Sequence, residues 1–240
     1  PPQVVARRDE NHRVVLETVA PSNRFAWKHH SKRGAIPNQH AQAKIHYTLD
    51  GQLPTAASPV YTQALDLPDG GRIRTRTIVD QELGPLADLH LGISGKGLKI
   101  ARVSSQHSAR YSADKAIDGD PGTFWHTSRA KGHPSHPHQL SINLGRTIRL
   151  AGLSYLPRQD RRVADGMIET GTVEISLDGT SWTLMGAFNF GNLLNDPTKR
   201  TFLFDRGIAA RYLRISSRKG VRNNPFAGAA EIGILAATKN

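Results

Sequence analysis

Twice in this chain a five-residue run alternates apolar and polar side chains and then meets Asp-Gly. The runs are Ile45-His46-Tyr47-Thr48-Leu49 before Asp50-Gly51 and Val173-Glu174-Ile175-Ser176-Leu177 before Asp178-Gly179. Alternation sends every second side chain to one face of an extended backbone, and Asp-Gly accepts the positive φ that turns such a backbone around. The same pattern predicts strands at Arg13 to Leu16, Ile73 to Val79, Leu140 to Leu144, Leu150 to Leu156, Thr201 to Phe204, Arg211 to Ser216 and Glu231 to Leu235. Helical spacing is hard to find. With 22 Gly and 14 Pro among 240 residues to punctuate these strands, the pattern predicts an all-β chain built from sandwiches.

The glycines of Leu91-Gly92-Ile93-Ser94-Gly95-Lys96-Gly97 leave too few side chains for a packed face, so a boundary is expected there, between a domain of residues 1–95 and one of 99–240. Ser22 to Gln42, a long polar segment, reads as a surface insertion. The opening Pro1-Pro2-Gln3, without an initiator Met or a signal-like apolar run, reads as part of a longer protein.

Composition removes several classes of function. The absence of Cys excludes disulfides, thiolate metal sites and a cysteine nucleophile. No apolar run reaches the ~18 residues of a membrane-spanning helix. The formal charge is +12, yet Arg7-Arg8, Lys32-Arg33, Arg72, Arg74, Arg76, Arg161-Arg162, Lys199-Arg200 and Arg218-Lys219 are dispersed and form no basic stripe interleaved with aromatics. That distribution argues against nucleic acid as a partner. No phosphate-cradling glycine loop, nucleophile elbow or His-Glu-x-x-His is present, so no catalytic residue is expected.

Three clusters carry chemistry. Asp118-Gly119-Asp120 with Thr123 gathers hard oxygens suited to a cation, although the same residues suit an exposed turn. His126 and Arg158 supply hydrogen-bonding groups of both kinds, but taken alone they read as a structural histidine and a surface charge. His133, His136 and His138 are spread by intervening prolines and read as structural rather than metal-binding.

Two resemblances sharpen this. Ile45 to Thr55 with Ser58-Pro59-Val60-Tyr61, followed by the alternating Arg72 to Arg76, resembles the chitobiase/hexosaminidase C-terminal module, a small fibronectin-like sandwich attached to glycoside hydrolases. Residues 99–240 resemble the discoidin-like, coagulation-factor type C domain, above all its family 32 carbohydrate-binding modules. The carrying elements are Val103-Ser104-Ser105, Lys115 to Asp120, Thr123 to Thr127, Asn143-Leu144-Gly145, Gly152 to Asp160, Glu174 to Trp182, Ala210 to Ile215 and Ala229 to Ile232.

The resemblance implies a discoidin-like jelly roll with a structural Ca²⁺ held by Asp118, Asp120, Thr123 and Glu231 and by the carbonyls of Lys115 and Ala230. It also implies binding of terminal galactose-type sugars by His126 and Arg158, with Asp165, Phe226, Arg129 and, from the first loop, Gln106 or His107 as further contacts. Arg129 stands where the family often has an aromatic, and Asp165 where it often has Asn, so Phe226 is expected to supply the stacking ring. The expected function is that of a non-catalytic accessory region of an exported bacterial glycoside hydrolase of α-L-fucosidase or β-hexosaminidase type, extracellular or periplasmic, acting beside that enzyme's catalytic domain. The alternative is a structural module that contacts proteins or phospholipid.

Overall fold

The computed structural model describes residues 2–9, 11, 13–19, 43–132, 135–160 and 164–237. The segment Ser22 to Gln42 and His133 lie outside the described residues. Two compact units are present, Pro1–Ser94 and Gly95–Asn240, and strands dominate both.

In the first unit, β1 (Gln3–Arg8) and β2 (Val14–Val19) form an antiparallel hairpin. Asp9 closes it, its Oδ1 accepting the N–H groups of Asn11 and Arg13 at 3.0 and 2.8 Å. A second antiparallel sheet is centred on β4 (Gly71–Val79), flanked by β3 (Lys44–Thr48) on one side and by β5 (Glu82–Leu83) and β6 (Ala87–Leu91) on the other. Ile73, Thr75 and Thr77 are buried while the alternating arginines stay partly exposed, as period-two patterning requires. Val4, Val14, Leu16, Ile73 and Ala87 form the core.

The turn expected at Asp50-Gly51 is wider than a two-residue hairpin. Gly51 does adopt φ 83°, but the returning chain meets β3 at one isolated bridge, His46 to Val60, and the full ladder of β3 is with β4. Pro54 and Pro59 lack the N–H groups that a continuous ladder would need.

The second unit contains β7 (Lys99–Val103), β8 (Trp125–His126), β9 (His138–Leu156), β10 (Ile168–Ser176), β11 (Thr183–Asn189), β12 (Arg200–Gly220), β13 (Gly228–Ala229) and β14 (Glu231–Ala236). The main sheet runs β11-β10-β12-β9-β14, with β7 also on β9. The four separate strands expected at 140–144, 150–156, 201–204 and 211–216 are two long ones, β9 and β12. Gly145 at φ 75° and register shifts after Leu203 and Ala210 bend them without ending their ladder. The first half of β9 pairs with β7 and its second half with β14, so one strand serves both layers of the sandwich.

The second Asp-Gly does close a hairpin, joining β10 to β11. Asp178 Oδ1 accepts the N–H groups of Thr180 and Ser181, both at 2.7 Å. Leu140, Ile142, Leu150, Leu153, Ile168, Leu213, Ile215 and Ile232 are fully buried, each contributing about 1.5–3 kcal/mol.

Candidate functional site

The site is assembled where loops meet β8 and β13. These short strands pair antiparallel, with His126 opposite Gly228 and Trp125 opposite Ala229. Trp125 is core, its Nε1 donating to the Ser105 carbonyl at 3.0 Å. Adjacent residues of a strand face opposite ways. His126 therefore turns toward a concavity of about 50 Å³ that it lines together with His107, Tyr111, Phe124, Arg129 and Arg158.

His126 is 1% exposed, and its Nδ1 donates to the Thr127 carbonyl at 2.7 Å. Burial dominates its titration and pushes its pKa below the usual histidine value, outweighing the Thr127 carbonyl and Asp165, which favour the charged form. The neutral ring thus presents Nε2 as an acceptor. That nitrogen lies 3.2 Å from Asp165 Oδ1 and 3.3 Å from Arg129 Nη2. Arg129 Nη2 serves both acceptors, donating to the Asp165 carboxylate and toward Nε2.

Arg158 is 3% exposed and firmly held. Its Nε and Nη2 donate to the two oxygens of Asp160 at 2.6 and 2.5 Å, and Nη1 donates to the backbone and side-chain oxygens of Asp165, both at 3.1 Å. Its guanidinium lies 4.2 Å from the ring centre of Phe124. Arg129 donates from Nη2 to Asp165 as well, so two guanidiniums share one carboxylate.

Backbone geometry makes this convergence possible. Asp165 sits between Ala164 at φ 73° and Gly166 at φ 76°. A Cβ on residue 166 would come within 2.8 Å of the His126 ring, so glycine is needed for the conformation and for the approach. Asn224 Oδ1 accepts the N–H groups of Gly166 and Phe226 at 3.3 and 3.0 Å, joining the two loops. Beneath them, buried Tyr155 donates its hydroxyl to the Gly228 carbonyl at 3.0 Å and accepts the Ile168 N–H at 2.9 Å.

The structure brings together His126, Arg158, Asp165, Arg129 and Phe226, the last with its ring 5.3 Å from that of His126. Gln106 stands apart: it is exposed, and its Oε1 accepts the Ala113 N–H at 3.2 Å. His107, the other residue expected from that loop, lines the concavity. Tyr111 and Phe124 also line it, their rings 5.0 Å apart; Phe124 belongs to the Thr123 to Thr127 run, whereas no motif points to Tyr111. His136 and His138 hold loop carbonyls, those of Asn224 at 2.9 Å and Pro225 at 2.7 Å, in keeping with a structural reading.

The oxygen-rich loop lies against the start of β14. Asp118 Oδ2 accepts the Thr123 hydroxyl at 2.8 Å and Lys115 Nζ at 3.2 Å. Glu231 keeps a buried Oε1 without a hydrogen-bond partner, and burial together with the Asp118 charge pushes its pKa up to about 8. Asp120 turns its carboxylate back to the Gly122 N–H at 2.8 Å. Among the described residues no three His, Cys, Asp or Glu side chains converge as metal ligands. The two facing carboxylates, the orphaned oxygen and the Thr123 hydroxyl nevertheless have the chemistry of a hard-cation site completed by carbonyls.

A sequence profile of the F5/8 type C domain matches residues 100–232. The chain belongs to the F5/8 type C domain family. A second profile, the chitobiase/beta-hexosaminidase C-terminal domain, matches residues 35–84, so both expected resemblances hold, as does the expected all-β sandwich class. Both matched kinds of domain are accessory rather than catalytic.

Over 144 residues the chain is 35% identical to a sialidase of Micromonospora viridifaciens, an alignment covering 57% of this chain and 21% of the sialidase. The chain thus spans about a fifth of that relative's length. CBM32-3 from a family 31 glycoside hydrolase of Clostridium perfringens is similar in structure, with TM-score 0.56 and 28% identity over 61% of this chain and 96% of that one. The family 32 module of C. perfringens NanJ, solved in complex with galactose, matches with TM-score 0.52 and 25% identity over 60% of this chain and 97% of that one. Among the described residues no helix of this F5/8 type C protein is long and apolar enough to cross a membrane.

Proposed function

We propose that the second unit is a carbohydrate-binding module for terminal galactose-type sugars, stabilised by a structural Ca²⁺. The observation that carries this reading is the convergence of His126, Arg158 and Asp165, which joins an imidazole and a buried guanidinium lining one small concavity to a carboxylate bonded to both, with the Phe226 ring 5.3 Å from that of His126. Sugar hydroxyls donate and accept at once, so they match such a set, while an aromatic ring receives the apolar face of a hexose. A shallow site that desolvates few groups gives weak affinity, on the order of 10 µM to 1 mM.

Asp118, Asp120, Glu231 and Thr123, with the carbonyls of Lys115 and Ala230, are the groups we assign to the cation, and the orphaned Glu231 oxygen supports the assignment. Ca²⁺ supplies positive charge that relieves the facing carboxylates and ties their loop to β14. We further propose that the chain is an accessory region of an exported bacterial glycoside hydrolase of the α-L-fucosidase or β-hexosaminidase kind. Its resemblance to both matched accessory domains supports that role.

Calorimetric titration of galactose and N-acetylgalactosamine into the Ca²⁺-loaded chain tests the reading. Binding is expected for wild type and is expected to weaken at least about tenfold in His126→Gln and in Arg158→Lys, each of which loses a charge-assisted or buried hydrogen bond. Wild-type protein that is folded yet silent toward both sugars overturns it.

A further inference from the structure

Arg129 lines the same concavity as His126 and Arg158, but it is held quite differently. Arg158 is 3% exposed and engages both oxygens of Asp160 as well as Asp165. Arg129 is 29% exposed, and its hydrogen bonds among the described residues run through Nη2, to Asp165 and toward His126 Nε2. Among the described residues, Nε and Nη1 donate to no side chain or backbone group. The Phe226 ring, centred 5.7 Å from Arg129 Cζ, flanks the guanidinium. A planar, permanently charged fork with unused N–H groups at the rim of a ligand concavity is suited to a pair of anionic oxygens.

The charge balance points the same way. Asp165 is shared between two guanidiniums, and Asp160 is committed to Arg158, so Arg129 is the less compensated cation. Residues 95–240 carry 21 Lys+Arg against 11 Asp+Glu, so the surrounding field attracts anions.

We infer that Arg129 makes this a site for acidic sugars: a galactose-type ring bearing a carboxylate or a sulfate, with the ring read by His126, Arg158 and Asp165 and the anion read by Arg129. The inference rests on the sugar-binding reading above and names the ligand class of that same site. Arg129 acts here as a specificity-determining residue.

The test is titration of the intact Ca²⁺-loaded chain with galactose, galacturonic acid and galactose 6-sulfate at low and at high salt, for wild type, Arg129→Gln and Arg129→Lys. Wild type is expected to prefer at least one acidic sugar over galactose by roughly tenfold at low salt, with the preference shrinking as salt screens it. Arg129→Gln is expected to abolish that ratio, and Arg129→Lys, which keeps the charge but loses the fork, to retain only part of it. Which acidic sugar responds tells carboxylate from sulfate. Equal affinity for all three sugars in wild type, or a ratio untouched by Arg129→Gln, overturns the inference while leaving sugar binding intact. Silence toward all three overturns both.

Discussion

His126 is where chemistry and stability meet at the scale of one residue. Its folded pKa lies below the unfolded value of about 6.5, burial being the main cause. The unfolded state therefore binds the proton first. The contribution of His126 to stability is constant above about pH 6.5 and falls as pH drops from there through the folded value. Urea unfolding at a series of pH values should show that decline in wild type and a flatter one in His126→Gln; identical slopes would contradict the assignment. Gly166 is the second residue with a sharp consequence. Gly166→Val adds strain at φ 76° and drives a side chain into the His126 ring, so it should cost more than about 1 kcal/mol of stability and weaken sugar binding. Denaturation midpoints beside sugar titrations check both effects. The residue types of the site were legible as motifs around His126 and Arg158. The partnership of Asp165 with three other groups was not, because it depends on a loop held between two left-handed residues.

Among the elements, the strand signal was legible wherever alternation was strict, and it faltered where the ladder outlasts the alternation. Gly145 looks like a terminator, yet β9 passes through it because pairing with β12 resumes at Ile148. Local sequence reports turn propensity, whereas continuity of a strand is decided by its neighbours. Tyr155 shows how such a strand supports the site. From the middle of the sheet its hydroxyl bonds to Gly228 and Ile168, holding β13 and the start of β10 under the loops. Tyr155→Phe leaves two buried backbone groups short of a partner and should cost about 1–3 kcal/mol. Chemical denaturation measures that loss. Stacking of the ring on Phe190, with centroids 5.1 Å apart, should survive and keep the fold intact.

The molecule as a whole offers a test of the cation. If Ca²⁺ joins Asp118 to Glu231, it binds the folded second unit alone and stabilises it by roughly 2.7 kcal/mol at a hundred times its dissociation constant. Scanning calorimetry should then resolve a transition that moves upward with Ca²⁺ and returns with chelator, while the transition of the unit Pro1–Ser94 stays in place. Glu231→Gln should remove the Ca²⁺ response; a response that persists would place the cation elsewhere. By itself the amino-acid order determined the all-β class, the glycine-rich stretch near residue 95, the hairpin at Asp178-Gly179 and the residue types available for sugar and cation, because alternation and turn chemistry act over a few neighbouring residues. Only the tertiary structure decided that Gln106 binds the Ala113 N–H, that Tyr111 and Phe124 join the concavity, and that Arg129 shares Asp165 with Arg158. Those outcomes depend on groups tens of residues apart meeting at one end of a sandwich, where burial and charge pairing act through space and leave no periodic trace along the chain.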